Sequence, residues 1–206
     1  MSKLVLSGDT SGSVTLDAPA VSGTTTLTLP TTSGTVLTNG TNTNFPAGSV
    51  LQVVSTTKTD TFSTASTSFV DVTGLSVSIT PKSSTSKILV LFNVYTSANQ
   101  NVSSAALRLV RDSTAIDIGD AASNRPRVSG IFYSGDASVS IQASIGAASN
   151  NFLDSPATTS ALTYKIQMLS ASGSVTMYVN RTSSDRDTTT YDARTASSIT
   201  VMEIAG

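Results

Sequence analysis

The chain of 206 residues contains no cysteine and no histidine, and these absences remove most familiar kinds of active site. Without them there is no zinc site of the usual kind, no thiol nucleophile, no disulfide and no Ser-His-Asp triad. Glutamate occurs once, as Glu203. Aspartates are present, but no spacing singles out the pair that a glycosidase needs. We therefore expect that the protein is not an enzyme and binds no cofactor and no metal.

Charge is also scarce, because charged residues make up 12% of the chain and the formal net charge is -1. This balance argues against partners that attract basic proteins, such as nucleic acids and anionic membranes. No apolar run approaches the roughly 20 residues that cross a bilayer. The first residues also lack the apolar core of a secretory signal. The sequence thus predicts neither nucleic-acid binding nor membrane insertion.

What the chain has instead is hydroxyl groups, with 36 serines and 33 threonines, and short apolar runs of period two. Val175, Met177 and Val179 alternate with Thr176 and Tyr178, as one buried and one exposed strand face require. No segment shows a helical stripe. The predicted strands are 50–54, 69–72, 75–79, 88–95, 105–111, 114–118, 131–133, 139–145, 162–169, 175–179 and 199–204. This pattern predicts an all-β fold, a jelly-roll-like β-sandwich.

An internal repeat occupies the amino-terminal part of the chain. The dipeptide Ser-Gly recurs every 11 residues, at Ser11, Ser22 and Ser33. Each unit predicts a turn, a short strand and then a proline that stops strand pairing. A turn-rich joint follows at 38–48. We therefore predict a repeat region at 1–48 that anchors the protein and a sandwich head at 49–206. A flexible Ser/Thr linker is the alternative for the first region.

The lengths of the loops suggest where the head presents its surface. If the strands from Ile88 onward form an up-and-down meander, alternate connections lie at opposite ends of the sheets. The short turns then share one end with Val50 and Ile204, and the long loops share the other. The long loops in this reading are 96–104, 119–130, 146–161 and 181–197. The sequence thus predicts a tip formed by these loops, opposite both ends of the head.

Arginine and tyrosine side chains are concentrated in these loops. An arginine offers a planar fork for carboxylate or phosphate, and a tyrosine can stack on a sugar face. Such groups suit a host surface glycan or lipopolysaccharide. The candidate receptor-binding residues are Arg125, Arg127, Arg181, Arg186, Tyr191 and Arg194. The alternative is that the arginines merely pair with Asp185, Asp187 and Asp192. These aspartates lack the spacing of a calcium loop.

Three separated blocks of the chain resemble bacteriophage tail-fibre proteins, notably those of marine and cyanobacterial phages. The first is the repeat at 7–30, which looks like the repeat near their amino termini. Two more blocks are similar to their head domains. These are Ser68-Phe-Val-Asp-Val-Thr-Gly-Leu-Ser-Val-Ser-Ile-Thr-Pro81 with 86–90, and 107–112 with 118–119 and the closing 198–204.

The resemblance implies a homotrimer in the virion tail, assembled in the host cytoplasm. Its amino-terminal part would bind a phage tail or baseplate protein, and its head would attach the phage to the host cell surface. Only about 48 residues precede the head, whereas many tail fibres carry long shafts. The alternative is therefore a capsid fibre, a decoration protein or a baseplate structural protein with no receptor-binding role.

Overall fold

The computed structural model describes residues 3–7, 9–17, 23–24, 26, 31–33, 45–100, 104–133, 144–189 and 191–206. It divides into two compact units, Met1–Val36 and Leu37–Gly206, and each is described by itself. The predicted boundary between residues 48 and 49 is not tested by this division and stays a prediction.

The first unit contains an antiparallel hairpin of β1 (Lys3–Ser7) and β2 (Ser13–Asp17). The first Ser-Gly of the repeat immediately precedes β2, and Gly12 has a φ of +79° that glycine adopts without steric cost. The later repeat units fall largely outside the described residues. Leu4, Val5 and Leu6 are all more than half exposed.

The second unit is all β, as predicted, and the described residues contain no helix. None of them forms a helical segment long and apolar enough to cross a membrane. The strands are β3 (Val50–Lys58), β4 (Phe62–Thr64), β5 (Val70–Ile79), β6 (Lys87–Ala98), β7 (Ser104–Arg111), β8 (Thr114–Ile116), β9 (Gly130–Tyr133), β10 (Gly146–Asp154), β11 (Leu162–Ser170), β12 (Met177–Val179) and β13 (Ser197–Ile204).

These strands form two antiparallel sheets that pack as a β-sandwich. In the first sheet, β6 is flanked by β10 on one edge and by β13 and β12 on the other, with β3 and β4 outside them. In the second sheet, β11 lies between β5 and β7, and β8 and β9 pair with the far edge of β7. The predicted β-sandwich is confirmed.

The core lies between the sheets and follows from the alternation of apolar residues. Strand β11 is an example, because every second side chain from Leu162 to Met168 is buried, with Tyr164 and Ile166 fully so. In the first sheet, strand β6 buries Ile88, Val90, Phe92 and Val94 in the same way. Each such side chain contributes about 1.5–3 kcal/mol when it leaves water.

A bulge in β5 joins two runs that the sequence predicted as separate strands. Val72 and Leu75 are both buried although two residues separate them. Gly74 lies between them with a φ of +80°, and the pairing with β11 shifts register at this point. Four residues of β5, 72–75, lie opposite one residue of β11, and a glycine with positive φ helps the strand take up the extra residues so that both apolar runs face the core.

An ion pair with a hydrogen-bonded tyrosine connects the sheets at one edge. Asp154 ends β10 and accepts hydrogen bonds from Arg111 Nη1 at 2.7 Å and from the Tyr164 hydroxyl at 2.7 Å. Burial of Tyr164, and then its bond to the carboxylate, raises the pKa of the phenol. Because both donors belong to the second sheet, the Asp154 carboxylate ties the two sheets together.

The structure contradicts the predicted common tip. Strands β8 and β9 both run antiparallel to β7, so residues 117–129 do not reverse the chain. Strands β12 and β13 both run antiparallel to β6, so residues 180–196 do not reverse it either. Each segment leaves the edge of a longer strand, β7 or β6, and returns to the same edge further along. We call these segments the 117–129 excursion and the 180–196 excursion. The length of a connection therefore does not tell which end of the sandwich that connection occupies.

Two further observations correct the predicted loop geometry. The short turns at 112–113 and 171–174 lie at opposite ends of the second sheet, because Arg111 pairs with Tyr164 and Ala105 with Ser170. Most of the predicted loop 146–161 is strand β10, paired with β6 from Gly146 to Asp154. The predicted strand at 139–145 falls mainly on 139–143, which lie outside the described residues.

Candidate functional site

A buried asparagine closes the neck of the 180–196 excursion. The Asn180 amide nitrogen donates to the carbonyls of Lys58 at 2.8 Å and Asp60 at 3.0 Å. Its side-chain oxygen accepts the Ser197 hydroxyl at 2.6 Å. Asn180 has a φ of +63°, a conformation that asparagine tolerates better than most residues. These contacts fix the two ends of the excursion to the first sheet.

Inside the excursion, Asp192 collects three donors. Its carboxylate accepts hydrogen bonds from the hydroxyl of Thr182, from the hydroxyl of Ser184 at 2.7 Å and from Arg186 Nε at 2.7 Å. Its side chain is 4% exposed. The two hydroxyls and then the guanidinium lower the pKa of Asp192 to about 2. The residue therefore stays ionised at neutral pH and acts as an internal brace.

Asp185 bridges two arginines on the other side of the excursion. It lies 2.9 Å from Arg181 Nη1 and 2.8 Å from Arg194 Nη2. The Arg181 guanidinium also stacks on the ring of Tyr178, 4.2 Å from its centroid. Arg181 thus packs against the outer face of β12, and its side chain is 24% exposed. Its role is to hold the loop against the sheet.

A cleft of about 340 Å³ opens in this excursion. Arg194 is 60% exposed at the cleft, and Tyr191, which precedes the lining residue Asp192 in the chain, is 65% exposed. The lining residues are Asp185, Arg186, Asp187, Thr188, Asp192, Ala193 and Arg194. Within the described part of the chain, no group of three acidic side chains is arranged to hold a metal ion. The lining of the cleft therefore combines hydrogen-bond donors and acceptors.

The 117–129 excursion carries the other two candidate arginines. Arg127 Nε donates to the Gly119 carbonyl at 2.6 Å. Asn150 of β10 donates to the Asp117 carboxylate at 2.7 Å and to the Ser129 carbonyl at 3.0 Å, and burial raises the pKa of Asp117. Arg125 lies at a groove of about 610 Å³ that Ala106, Val128, Ile131 and Leu169 help to line.

The structure thus divides the six candidate residues between two excursions. Arg181, Arg186, Tyr191 and Arg194 lie on the 180–196 excursion beside the first sheet, and Arg125 and Arg127 lie on the 117–129 excursion beside the second. The alternative interpretation, in which the arginines pair with nearby aspartates, describes Asp185 and Asp192 correctly. Sequence reasoning did not identify the structural role of Asn180, since the two carbonyls that its amide nitrogen binds are some 120 residues away along the chain.

No protein family and no curated protein matches this chain. Among solved structures, a chain from the structure of infectious bursal disease virus Gx strain matches with a TM-score of 0.35 and 15% identity. The alignment covers 98% of this chain and 50% of that chain, so the present chain spans about half the length of its match. A likeness at this TM-score does not establish a shared fold.

Proposed function

We propose that this chain is a structural protein of a virus particle, without catalytic activity, that attaches the particle to its host as a phage tail fibre does. The observation that carries the proposal is the braced 180–196 excursion. Its buried neck and internal ion pairs fix a cleft, and Arg194 and Tyr191 stand exposed beside it. A loop that is ordered before binding loses less entropy when it binds.

The amino-terminal hairpin supports a role in assembly. Leu4, Val5 and Leu6 are consecutive, so they alternate between the two faces of the ribbon, and all three are exposed. An isolated two-stranded ribbon is marginally stable in water. We propose that this region is covered by a tail or baseplate protein and by the same region of other subunits.

The outer face of the first sheet supports a homotrimer. Twelve side chains form three rows across β3, β13, β6 and β10, and none carries a charge. The rows are Val53, Met202, Leu89 and Leu153; Ser55, Thr200, Leu91 and Asn151; and Thr57, Ser198, Asn93 and Ser149. Val53 is 55% and Leu153 48% exposed. In a threefold ring this face would pack against a different surface of the neighbouring subunit, and an uncharged face with an apolar row can do so without burying an unpaired charge of its own.

The test is adsorption of particles that carry variants of the exposed residues. Arg194→Ala combined with Tyr191→Ala should lower adsorption to host cells about tenfold or more, while Lys82→Ala, an exposed charge elsewhere on the head, should leave it unchanged. Both variants should assemble normally, because Asp185 keeps its ion pair with Arg181 when Arg194 is replaced and exposed substitutions usually change stability by no more than about 0.5 kcal/mol. Normal adsorption by the double variant would defeat the proposal.

The second candidate is a capsid fibre, a decoration protein or a baseplate structural protein without a receptor. The pairing of Asp185 and Asp192 with arginines favours it, because these charges already have partners within the chain. Antibody labelling of intact particles separates the two. Label at the distal end of the tail supports attachment, and label over the capsid or between tail components supports the structural role.

A further inference from the structure

The arginine charges of the 180–196 excursion are compensated before any ligand arrives. Asp185 lies between Arg181 and Arg194, and Asp192 pairs with Arg186, all within 2.9 Å. The lining of the cleft contains three aspartates against two arginines. A phosphate or carboxylate bound to either arginine of the cleft would lie close to these carboxylates. Like charges brought together in this way weaken binding.

The polar groups left for a ligand are both donors and acceptors. Arg186 uses its Nε for Asp192, and its terminal nitrogens have no hydrogen-bond partner among the described residues. The carboxylate of Asp187 likewise has no partner in the described part of the chain, and Thr188 contributes a hydroxyl to the lining. Sugar hydroxyls both donate and accept hydrogen bonds, so they match such a mixed set.

The volume of the cleft and the exposed Tyr191 also suit a sugar as the ligand. A volume of about 340 Å³ lies at the small end of the roughly 300–1,000 Å³ range of ligand sites. Tyr191 is 65% exposed, and its ring offers an apolar face with a polar tip. We propose that this cleft binds a neutral, hydroxyl-rich sugar unit of a host surface glycan. The inference rests on the proposed function, and it replaces the carboxylate or phosphate group that the arginines alone suggested as the ligand.

A glycan array with matched probes tests the inference. The probes are oligosaccharides of α-1,4-galacturonan and their carboxyl-reduced counterparts, together with neutral hexose and deoxyhexose oligosaccharides and with sialylated and phosphorylated ones. The full-length protein should bind neutral probes only, and the signal should change less than about twofold as salt screens surface charge. Binding to acidic probes that salt abolishes would overturn the inference, and so would the absence of any binding.

Substitution of Asp187 should change the binding affinity in opposite directions for a neutral sugar and for an anion. If the ligand is a neutral sugar, Asp187→Asn removes a charged acceptor and should weaken binding about tenfold, with no change in melting temperature. If the ligand is an anion, the same substitution removes repulsion and should strengthen binding. Asp120→Asn, at an exposed position of the 117–129 excursion, changes the net charge by the same amount; it serves as the control and should leave binding as it is.

The adsorption experiment distinguishes this inference from the proposed function. If adsorption depends on Arg194 and Tyr191 but the array shows acidic ligands, the attachment function stands and the neutral-sugar inference is wrong. If adsorption is independent of these residues but the isolated protein still binds neutral sugars through Asp187, the attachment function is wrong and the chemistry of the cleft stands.

Discussion

The two excursions carry similar residues but hold them by different means. The 180–196 excursion is braced by carboxylates, with Asp185 and Asp192 each bound to arginine. The 117–129 excursion is held by an amide and by backbone groups, through Asn150 and the bond from Arg127 to the Gly119 carbonyl. An arginine in a loop therefore says little about ligands until the partner of its charge is known.

The two excursions also differ in how much arginine charge they leave available to a ligand. In the described part of the chain, neither Arg125 nor Arg127 lies within 4 Å of a carboxylate. Their charge remains available on the second sheet, beside the apolar groove that Ile131 helps to line. Arg181 and Arg186 of the 180–196 excursion instead form part of its framework.

Among the substitutions that test this difference, the largest loss of stability is expected at the neck of the 180–196 excursion. Asn180→Ala removes the hydrogen bonds to the carbonyls of Lys58 and Asp60 and takes away the acceptor of the buried Ser197 hydroxyl. It also places alanine at a φ of +63°. We expect a loss of about 3 kcal/mol in the free energy of unfolding, measured by urea denaturation. A loss below about 1 kcal/mol would show that the neck does not hold the excursion.

The matched substitution in the 117–129 excursion should lower the free energy of unfolding by less. Asn150→Ala removes the bonds to Asp117 and to the Ser129 carbonyl, but Asn150 is half-buried and water can replace part of them. We expect a loss of about 1–1.5 kcal/mol by the same measurement. If this loss equals or exceeds that of Asn180→Ala, the proposed difference in how the two excursions are held is wrong.

The sequence predicted those elements whose physics is local. The alternation in β11 and β13 marks one buried face, and the apolar residues at Val72 and Leu75 indicate strands even though the bulge between them was not foreseen. Strand β10 was missed because Ser149, Asn150 and Asn151 resemble a loop. An edge strand can be polar, since its pairing with β6 depends on backbone groups.

Chain direction and the partners of the site residues could not be predicted. Whether a long connection reverses the chain depends on the strand that each of its ends pairs with. Because β12 and β13 both pair antiparallel with β6, the connection between them does not reverse it. The aspartate–arginine pairs were foreseen as an alternative because their members are close in sequence. Asn180 could not be identified, because its contacts to Lys58 and Asp60 join segments far apart along the chain.

Acid should affect the carboxylate-braced excursion in a defined pH window. The pKa of Asp192 is about 2 in the folded protein, below the ordinary value of 3.8. A lowered pKa stabilises the fold fully above the ordinary value and loses that contribution as pH falls through the folded value. The melting temperature of the wild type should therefore fall between about pH 4 and pH 2 more steeply than that of Asp192→Asn.

The measurement is a series of thermal melts of both proteins from pH 6 to pH 2. Other carboxylates titrate in the same range, Asp71 among them, whose pKa is lowered by hydrogen bonds from Lys165 and Gln167. The difference between the two proteins isolates Asp192, because the remaining groups are shared. A difference that stays constant across the series would mean that Asp192 does not brace the excursion through its charge.

The smallest effect is expected at the arginines whose charge has no carboxylate partner. Arg125 is exposed, so Arg125→Ala should change the free energy of unfolding by no more than about 0.5 kcal/mol. Arg127→Ala removes the bond to the Gly119 carbonyl and should cost about 0.5–1 kcal/mol. By contrast, Arg181→Ala would leave Asp185 with one partner and remove the stack on Tyr178. Urea denaturation of the three variants side by side tests the ranking, and a cost at Arg125 as large as that at Arg181 would mean that the 117–129 excursion, too, is built around its charges.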